Sequence, residues 1–517
     1  MAQEEKHSEV MNTRTTIILL ILVLLAGFLR LYRFEDFMEF LGDQGRDARI
    51  AKQILVDRDF TLLGPPTSVG NMYLGPLYYY LMVPFLALTY PSPTGPAYAI
   101  AVLGILTVLG MYLLGRRMVG EWPALFAAVA YATAPQVVKL SRFSWQPNIA
   151  PFFGLLLLWS LWKGMRGDTW HWFWALIWIA ILIQAHYVAL LAGLSCVIAG
   201  LYWLYKSRWK GLIASIVPIT FGILVLIMSF FPLVLFDLRH NGQISRGFEE
   251  FFTQRAEREV RPFAETAALI WRDSHGVSMR TTVELLGASK ELRSMNTWLT
   301  IAFLVGGIVA IVRTKQAEHR EGSILIFGSV LSAIVGLSIY RDQVFEHYFA
   351  YLFPAVFLLF GIVVWQVVRF SKLTRILGLL AVFGLSMYHI SVMPYWGGRA
   401  NGIAEIRALS GKILEVLPSC ERCNIAGLNQ EREYRAYKHR FVLEASGLEL
   451  QDEYSYGGLK ELIVVVENGE DPLQSPIYEI QEFVRESKGK PVEIARIPLK
   501  DEIVAYVYKK ASILKEQ

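Results

Sequence analysis

Mostly apolar runs of about 16 to 26 residues recur from position 16 to position 393, each long enough to cross about 30 Å of hydrocarbon as a helix. In lipid every backbone N–H and C=O must find its partner within the protein, so runs of this kind become helices and the helices become a bundle. Composition agrees: 54% of the 517 residues are hydrophobic and 18% charged, which excludes a water-soluble globular chain. The formal net charge of +5 is a slight basic excess and gives no reason to expect nucleic acid as a partner.

The first run follows Lys6 and Arg14, lacks a small-residue cleavage site and ends in Arg30-Leu31-Tyr32-Arg33, so it reads as a retained signal-anchor helix. The predicted spans are 16–32, 97–114, 122–137, 148–163, 171–186, 188–205, 211–236, 297–312, 323–340, 347–368 and 375–393. Loops between alternate spans carry Arg116-Arg117, Lys163 with Arg166, Lys206-Arg208-Lys210, Arg313-Lys315-Arg320 and Arg369-Lys372-Arg375. By the positive-inside rule these five loops are cytoplasmic, as is the N-terminus.

That assignment makes 73–90 a juxtamembrane or shallow re-entrant helix rather than a twelfth span, since a full crossing would place Arg116-Arg117 outside. Pro76, Pro84 and the run Tyr78-Tyr79-Tyr80 suit an interfacial helix. The first outer loop, 33–96, carries Arg33, Arg46, Arg49, Lys52 and Arg58 against the rule, and five concordant loops outweigh it. The expected fold is mainly α: a polytopic membrane bundle of about eleven spans over 1–394, with a large outer loop at 237–296.

Beyond about Tyr395 the apolar runs stop. Position 403–417 reads as an amphipathic helix, 441–444, 461–466, 492–497 and 503–508 as strands, and 477–485 as a helix. This makes 395–517 a small α/β domain, and odd span parity puts it outside the cytoplasm. Cys196 lies in an apolar helix; Cys420 and Cys423 form one CxxC, open to a local disulfide, two free thiols or half of a zinc site.

With this topology the polar residues gather at one face. Leu41-Gly42-Asp43-Gln44-Gly45-Arg46-Asp47-Ala48 follows the first span, and its two acids, four residues apart, share a helix face with Arg46 beside them. Lys139 and the stretch Ser141 to Asn148 follow in the second outer loop, then His186-Tyr187, Asp237-Leu238-Arg239-His240, Arg341-Asp342 and Glu346-His347-Tyr348. Ionisable residues inside the spans are nearly absent, whereas a secondary transporter places them near the midplane. The layout suits interfacial chemistry on a molecule whose tail lies in lipid and whose head emerges outside.

Several of these residues carry a family likeness. They are Gly42-Asp43-Gln44 after the first span, Gly75-Pro76-Leu77-Tyr78-Tyr79, Leu114-Gly115-Arg116-Arg117, the stretch from Ala134-Pro135 to Arg142, and His347-Tyr348 followed by Pro354. In this order the chain resembles the GT-C superfamily of integral-membrane glycosyltransferases, in its family-39-like branch with the protein O-mannosyltransferases and the lipid A aminoarabinose transferase. The likeness spans most of the membrane half. It departs at Gln44, where that family commonly has a Glu; Asp47 stands one turn later.

The resemblance implies a sugar donor carried on a polyprenyl phosphate and an acceptor arriving from the extracytoplasmic side. Inverting transfer needs a base for the acceptor hydroxyl and cations for the leaving phosphate. Asp43 is the candidate base, with Asp47 as helper or acceptor orienter and Arg46 in the substrate site. Arg142, Arg341 and His347 are candidate phosphate ligands, with Lys139 and Arg239 further candidates of the same kind. Tyr78, Trp145, Tyr187 and Tyr348 are candidates for contact with the sugar.

Each has a plainer reading. The acids can simply pair with Arg46 or Arg49, the arginines can anchor lipid head groups, and the aromatics can form an interfacial belt. A divalent metal, for which Asp43, Asp47 and Asp237 are conceivable ligands, is left open, as are the sugar and the acceptor. The segment 246–296 reads as interfacial helices able to cover the site. The competing functions are a lipid-linked sugar flippase or transporter, a surface-polysaccharide polymerase or ligase, and an inactive receptor-like relative.

Overall fold

The computed structural model describes residues 13–67, 72–258, 273–340, 344–397, 402–430, 432–487, 489–500 and 503–510. Among them, eight helical stretches, from Thr13–Leu31 to Lys372–Ser391, are long and apolar enough to cross a membrane. Three further expected spans are shorter: Glu121–Thr133, Ala150–Met165 and Trp170–Ala185, with 13, 16 and 16 residues. The first two are buried along most of their length, so their surroundings are largely protein. Together these helices occupy all eleven expected stretches, and the chain is a multi-pass membrane protein.

Local chemistry starts the helices cleanly. Pro151 and Pro354 sit in first turns, where a missing N–H costs nothing. Ser371 caps Lys372–Ser391, its side chain accepting from the Thr374 N–H. Small residues then let backbones touch. A Cβ on Gly154 would stand 2.1 Å from the Tyr351 carbonyl oxygen, and one on Gly361 2.0 Å from that of Pro123.

Helical bonding runs unbroken over the 38 residues Ala192–Ser229, about 57 Å if straight. The packing shows that it is not straight. The Trp203 ring lies 5.6 Å from that of Trp172, and a Cβ on Gly222 would lie 2.6 Å from Leu176. Trp172 and Leu176 are about one turn apart, whereas positions 203 and 222 would be about 28 Å apart on a straight helix. The chain therefore doubles back near 206–211, where the basic loop was expected.

The basic loops collect at one end of the bundle. Arg14 pairs with Glu121 at 3.6 Å, Arg166 with Glu318 and with Glu321 (3.7 Å), and Lys206 with Glu321 at 2.6 Å. The opposite end carries the helix Gly42–Lys52, called the rim helix below, and the C-terminal region. Leu77–Thr89 lies beside the rim helix; its 13 residues make about 20 Å, short of the hydrocarbon thickness, and it contains Pro84.

The C-terminal region contains a four-stranded mixed sheet: β1 (Cys423–Leu428), β2 (Glu461–Val466), β3 (Val492–Lys500) and β4 (Ile503–Lys509), in the order β1-β2-β4-β3. β1 and β2 run parallel, the other pairs antiparallel. Every residue of β1 and β2 is buried because helices cover both faces. Leu409, Ile413 and Leu443 pack on Ile425, Ile463 and Val507; Ile480 and Phe483 pack on Ala426, Leu462 and Val464.

Two expectations are corrected here. Position 441–444 is helical, within Tyr437–Ala445, because that helix is sandwiched: Phe441 and Val442 face the bundle while Leu443 faces the sheet. Burial on two sides makes its apolar run continuous, which imitates a strand. β1 was missed because Cys-Asn-Ile-Ala-Gly-Leu has little β-branched content. Cys420 and Cys423 are joined as a disulfide.

Candidate active site

The rim helix begins at Gly42, after Leu41 in an extended conformation. Gln44 Oε1 accepts the Leu41 N–H at 2.9 Å, so the residue standing where the related family has an acid folds back on the helix N-terminus. Residues 42, 45, 49 and 52 form one stripe, and that stripe docks on the C-terminal region. A Cβ at Gly45 would meet the Lys438 nitrogen at 2.5 Å, and one at Gly42 would meet Glu433 Cγ at 2.5 Å. Arg49 donates to Glu444 at 3.0 Å and to Glu453, with Lys52 3.7 Å from Glu444. Phe40 and Phe441 meet edge to face at 6.1 Å.

The adjoining stripe carries the acids, and the structure separates them. Asp43 is 49% exposed at its side chain and Asp47 is 0% exposed. Arg46 joins them, donating from Nη1 to Asp43 at 2.7 Å and from Nη2 and Nε to Asp47 Oδ1 at 2.7 and 3.0 Å. Tyr79 donates to the same Asp47 oxygen at 3.2 Å, while Oδ2 is buried without a partner. Burial pushes the Asp47 carboxyl up to about 6, against the opposing pull of Arg46. The carboxylates hold Arg46 well above its ordinary range, so it stays charged.

An aromatic wall stands beside this cluster. His347 lies close enough to Asp43 to feel its charge, and its ring contacts Trp145 at 4.5 Å, Tyr348 at 4.7 Å and Phe345 at 5.7 Å. His186 packs on Tyr348 at 4.7 Å and takes the Val188 N–H on Nδ1 at 3.2 Å, which caps the turn that follows it. Among the described residues the His347 nitrogens have no hydrogen-bond partner, and Trp145 Nε1 is buried without one. A ligand oxygen reaching this wall would find donors already in place.

Tyr78 ties the wall to lipid. Its hydroxyl meets Ser144 Oγ at 2.7 Å, and both residues line an apolar groove of about 490 Å³ walled by Met82, Phe85, Leu103 and Phe153. Three consecutive tyrosines on one helix thus diverge: Tyr78 to Ser144, Tyr79 to Asp47 and Tyr80 to the Thr61 carbonyl at 2.6 Å. Tyr79 and Ser144 were not among the expected site residues. Their signal was present in the Tyr78-Tyr79-Tyr80 run, since successive helical side chains point about 100° apart.

Other expected residues serve elsewhere. Arg142 is buried and donates to the carbonyls of Leu29, Tyr32 and Arg33 at 2.9, 2.8 and 3.2 Å, with Tyr395 stacked 4.0 Å from its guanidinium. Its two Nη groups clamp the C-terminus of the first helix, while Nε is buried without a partner. Arg46, expected in the substrate site, uses its guanidinium on the two acids. Lys139 is exposed and 3.5 Å from Glu39, and Tyr187 donates to the Tyr73 carbonyl. Arg239 is exposed at the end of Phe231–Arg239. Asp237 accepts the Ile244 and Ser245 N–H groups at 2.6 and 3.1 Å, which commits it to starting Gln243–Arg258. Arg341 and positions 259–272 of the expected covering segment lie outside the described residues.

Among the described residues no three His, Cys, Asp or Glu side chains gather to hold a metal, and Asp47 already faces Arg46. The described residues thus offer no such donor set, and no step below uses a divalent ion.

Residues 74–236 match the family described as dolichyl-phosphate-mannose-protein mannosyltransferase. The structure is similar to ArnT from Cupriavidus metallidurans bound to undecaprenyl phosphate, with a TM-score of 0.59 and 12% identity over 97% of this chain and 99% of that one. Lesser likenesses reach the archaeal oligosaccharyltransferase AglB from Archaeoglobus fulgidus (TM-score 0.47, 13% identity, 87% of this chain and 69% of that one). They also reach the arabinofuranosyltransferase AftD from Mycobacteria (TM-score 0.40, 13% identity, 96% and 39%). No curated protein matches the chain in sequence. The fold, from the first of these likenesses, is that of the GT-C membrane glycosyltransferases.

Proposed function

We propose that the chain transfers a sugar from a polyprenyl-phosphate-linked donor to an acceptor hydroxyl at the extracytoplasmic face, with inversion at the anomeric carbon. The observation that carries this reading is the position of Asp43. It is an exposed carboxylate held by Arg46 at the rim, on the helix that neighbours the Tyr78–Ser144 groove. The five basic loops at the far end orient the rim outward. ArnT, which shares the fold, is bound to undecaprenyl phosphate, and the apolar groove offers such a tail a place in this chain.

In this reading the acceptor oxygen attacks the anomeric carbon, the bond from that carbon to the phosphate oxygen breaks, and the hydroxyl proton passes to Asp43. Polyprenyl phosphate leaves with the bonding pair. His347 and Trp145 Nε1 offer donors to the sugar or phosphate oxygens, with Tyr348 and His186 fixing the His347 ring. Asp47, enclosed and bonded to Arg46, acts as a positioning residue for that arginine and through it for Asp43. The region 395–517 is proposed as a separate extracytoplasmic domain whose Tyr437–Ala445 helix sets the pose of the rim helix.

The test uses the full chain in proteoliposomes with a panel of polyprenyl-phosphate sugars and envelope extract as acceptor, followed by mass analysis of product. Wild type forms a new glycosidic bond; Asp43→Asn loses about 10²- to 10⁴-fold in turnover at unchanged melting temperature. Undiminished turnover in that variant rejects the base assignment. Movement of lipid-linked sugar across the bilayer without any new bond rejects the transferase reading in favour of transport.

A further inference from the structure

The end of the bundle away from the rim holds a second cavity, of about 520 Å³. Its wall comes from the turn 313–316, from His319 and Ser323 on Ala317–Tyr340, and from Gln366 and Arg369 at the end of Phe353–Val368. Arg313, Lys315 and Arg369 converge on it from two separate helix ends, and no acid lines it.

Several other cations at this end are paired. Arg166 meets Glu318 and Glu321, and Lys206 meets Glu321. Among the described residues Arg313, Lys315 and Arg369 are in no ion pair. Basic side chains at helix C-termini often serve the last carbonyls, but here others do so. Thr314 donates to the Ala310 carbonyl at 2.7 Å and Arg375 to the Arg369 carbonyl at 3.5 Å. Arg369 stacks over Phe370 at 5.8 Å, and among the described residues none of the three cations meets an acid.

Gln366 adds a second, independent sign. It is 7% exposed, lines the cavity, and its amide oxygen is buried without a partner. An amide so placed can turn its NH₂ toward an oxygen-rich ligand. Phe370, which is exposed, lines the cavity together with Ile362 and Trp365, giving the cations an apolar flank.

We propose that this cavity binds the phosphate headgroup of an anionic membrane lipid, with Arg313, Lys315 and Arg369 on the phosphate, Gln366 beside it and the acyl chains leaving along Phe370. The site lies at the opposite end from the rim and stands or falls independently of the transfer chemistry. A soluble phosphate has the same oxygens, but nothing about it calls for the apolar flank.

The test is lipid retention by the full-length chain in detergent, read by native mass spectrometry and thermal shift, with phosphatidylglycerol, phosphatidylcholine and inorganic phosphate as probes. Phosphatidylglycerol is expected to be retained and to raise the melting temperature, phosphatidylcholine and inorganic phosphate not. Arg313→Ala with Arg369→Ala should weaken retention about tenfold or more. Gln366→Leu, which keeps every charge and suits an apolar surrounding, should weaken it severalfold. Arg320→Ala, an exposed cation outside the cavity, should leave it unchanged. Equal retention of phosphatidylcholine overturns the proposal, as does a loss with Arg320→Ala matching that of the double variant, which marks a diffuse charged rim. Binding of inorganic phosphate as tight as that of the lipid overturns the lipid assignment.

Discussion

Glu321 and Asp47 are buried carboxylates at opposite ends of the bundle, each met by a basic side chain, yet their partners come from different distances. Glu321 takes Lys206 at 2.6 Å and Tyr202 at 3.2 Å, more than a hundred residues away, and lies 3.7 Å from Arg166. It stitches helices that are remote in sequence. Asp47 takes its own neighbour Arg46 and Tyr79 of the adjoining helix. That cluster holds little of the bundle together, but it aims one guanidinium at Asp43. Charges that join distant helices tie the bundle together; those at the rim are nested within one turn, beside unpartnered donors and an exposed acid.

If the rim cluster serves chemistry, removing its centre should cost activity first. Arg46→Met is expected to lower turnover about a hundredfold or more, measured per folded molecule in proteoliposomes. Arg46→Lys should restore only part of it, because one ammonium cannot fork between two acids. Wild-type turnover with Arg46→Met would erase the contrast between the two ends.

Asp47→Asn should cost about tenfold by loosening Arg46. It should also change the pH profile. The folded carboxyl is held at about 6, above its ordinary 3.8, so it takes up a proton as pH falls through 6 and loosens its grip on Arg46. Wild-type activity therefore declines on the acid side of about 6, a limb that Asp47→Asn lacks. Stability moves the other way: the raised value means the folded state binds the proton more tightly, so this contribution is present below 3.8 and is lost as pH rises through about 6. An acid limb unchanged in the variant would assign it to another group.

At the other end, Glu321→Gln should leave turnover per folded molecule unchanged and lower the melting temperature by about 1–2 °C, since its partners are part-exposed and each pair is worth about 1 kcal/mol. The smallest effect belongs to Lys139→Ala, whose exposed pair with Glu39 is expected to matter less than about twofold for turnover. A large loss there would bring Lys139 back as a phosphate ligand.

The legible and illegible parts of this molecule divide along physical lines. Spans are legible because lipid imposes length and apolarity on each segment separately, and the basic loops because charge placement is local. The basic loop expected at 206–210 lies where the packing shows the chain doubling back, although helical hydrogen bonding runs on through it. The same local logic did not foresee the carbonyl contacts of Arg142: an arginine just past an apolar stretch looks alike whether it meets phosphate or the carbonyls of Leu29 and Tyr32. It also misread 441–444, where one helix lies between two cores.

The sequence by itself determined that this chain crosses the membrane many times, gathers basic loops at one end, and carries Asp43, Arg46 and Asp47 along one stretch of a rim helix. Helical spacing and lipid solvation need no distant partner to act. Tertiary structure alone decided that Asp47 is enclosed and Asp43 open. Burial is a property of what arrives from elsewhere, here Tyr79 over Asp47 and the Tyr437–Ala445 helix against Gly42 and Gly45.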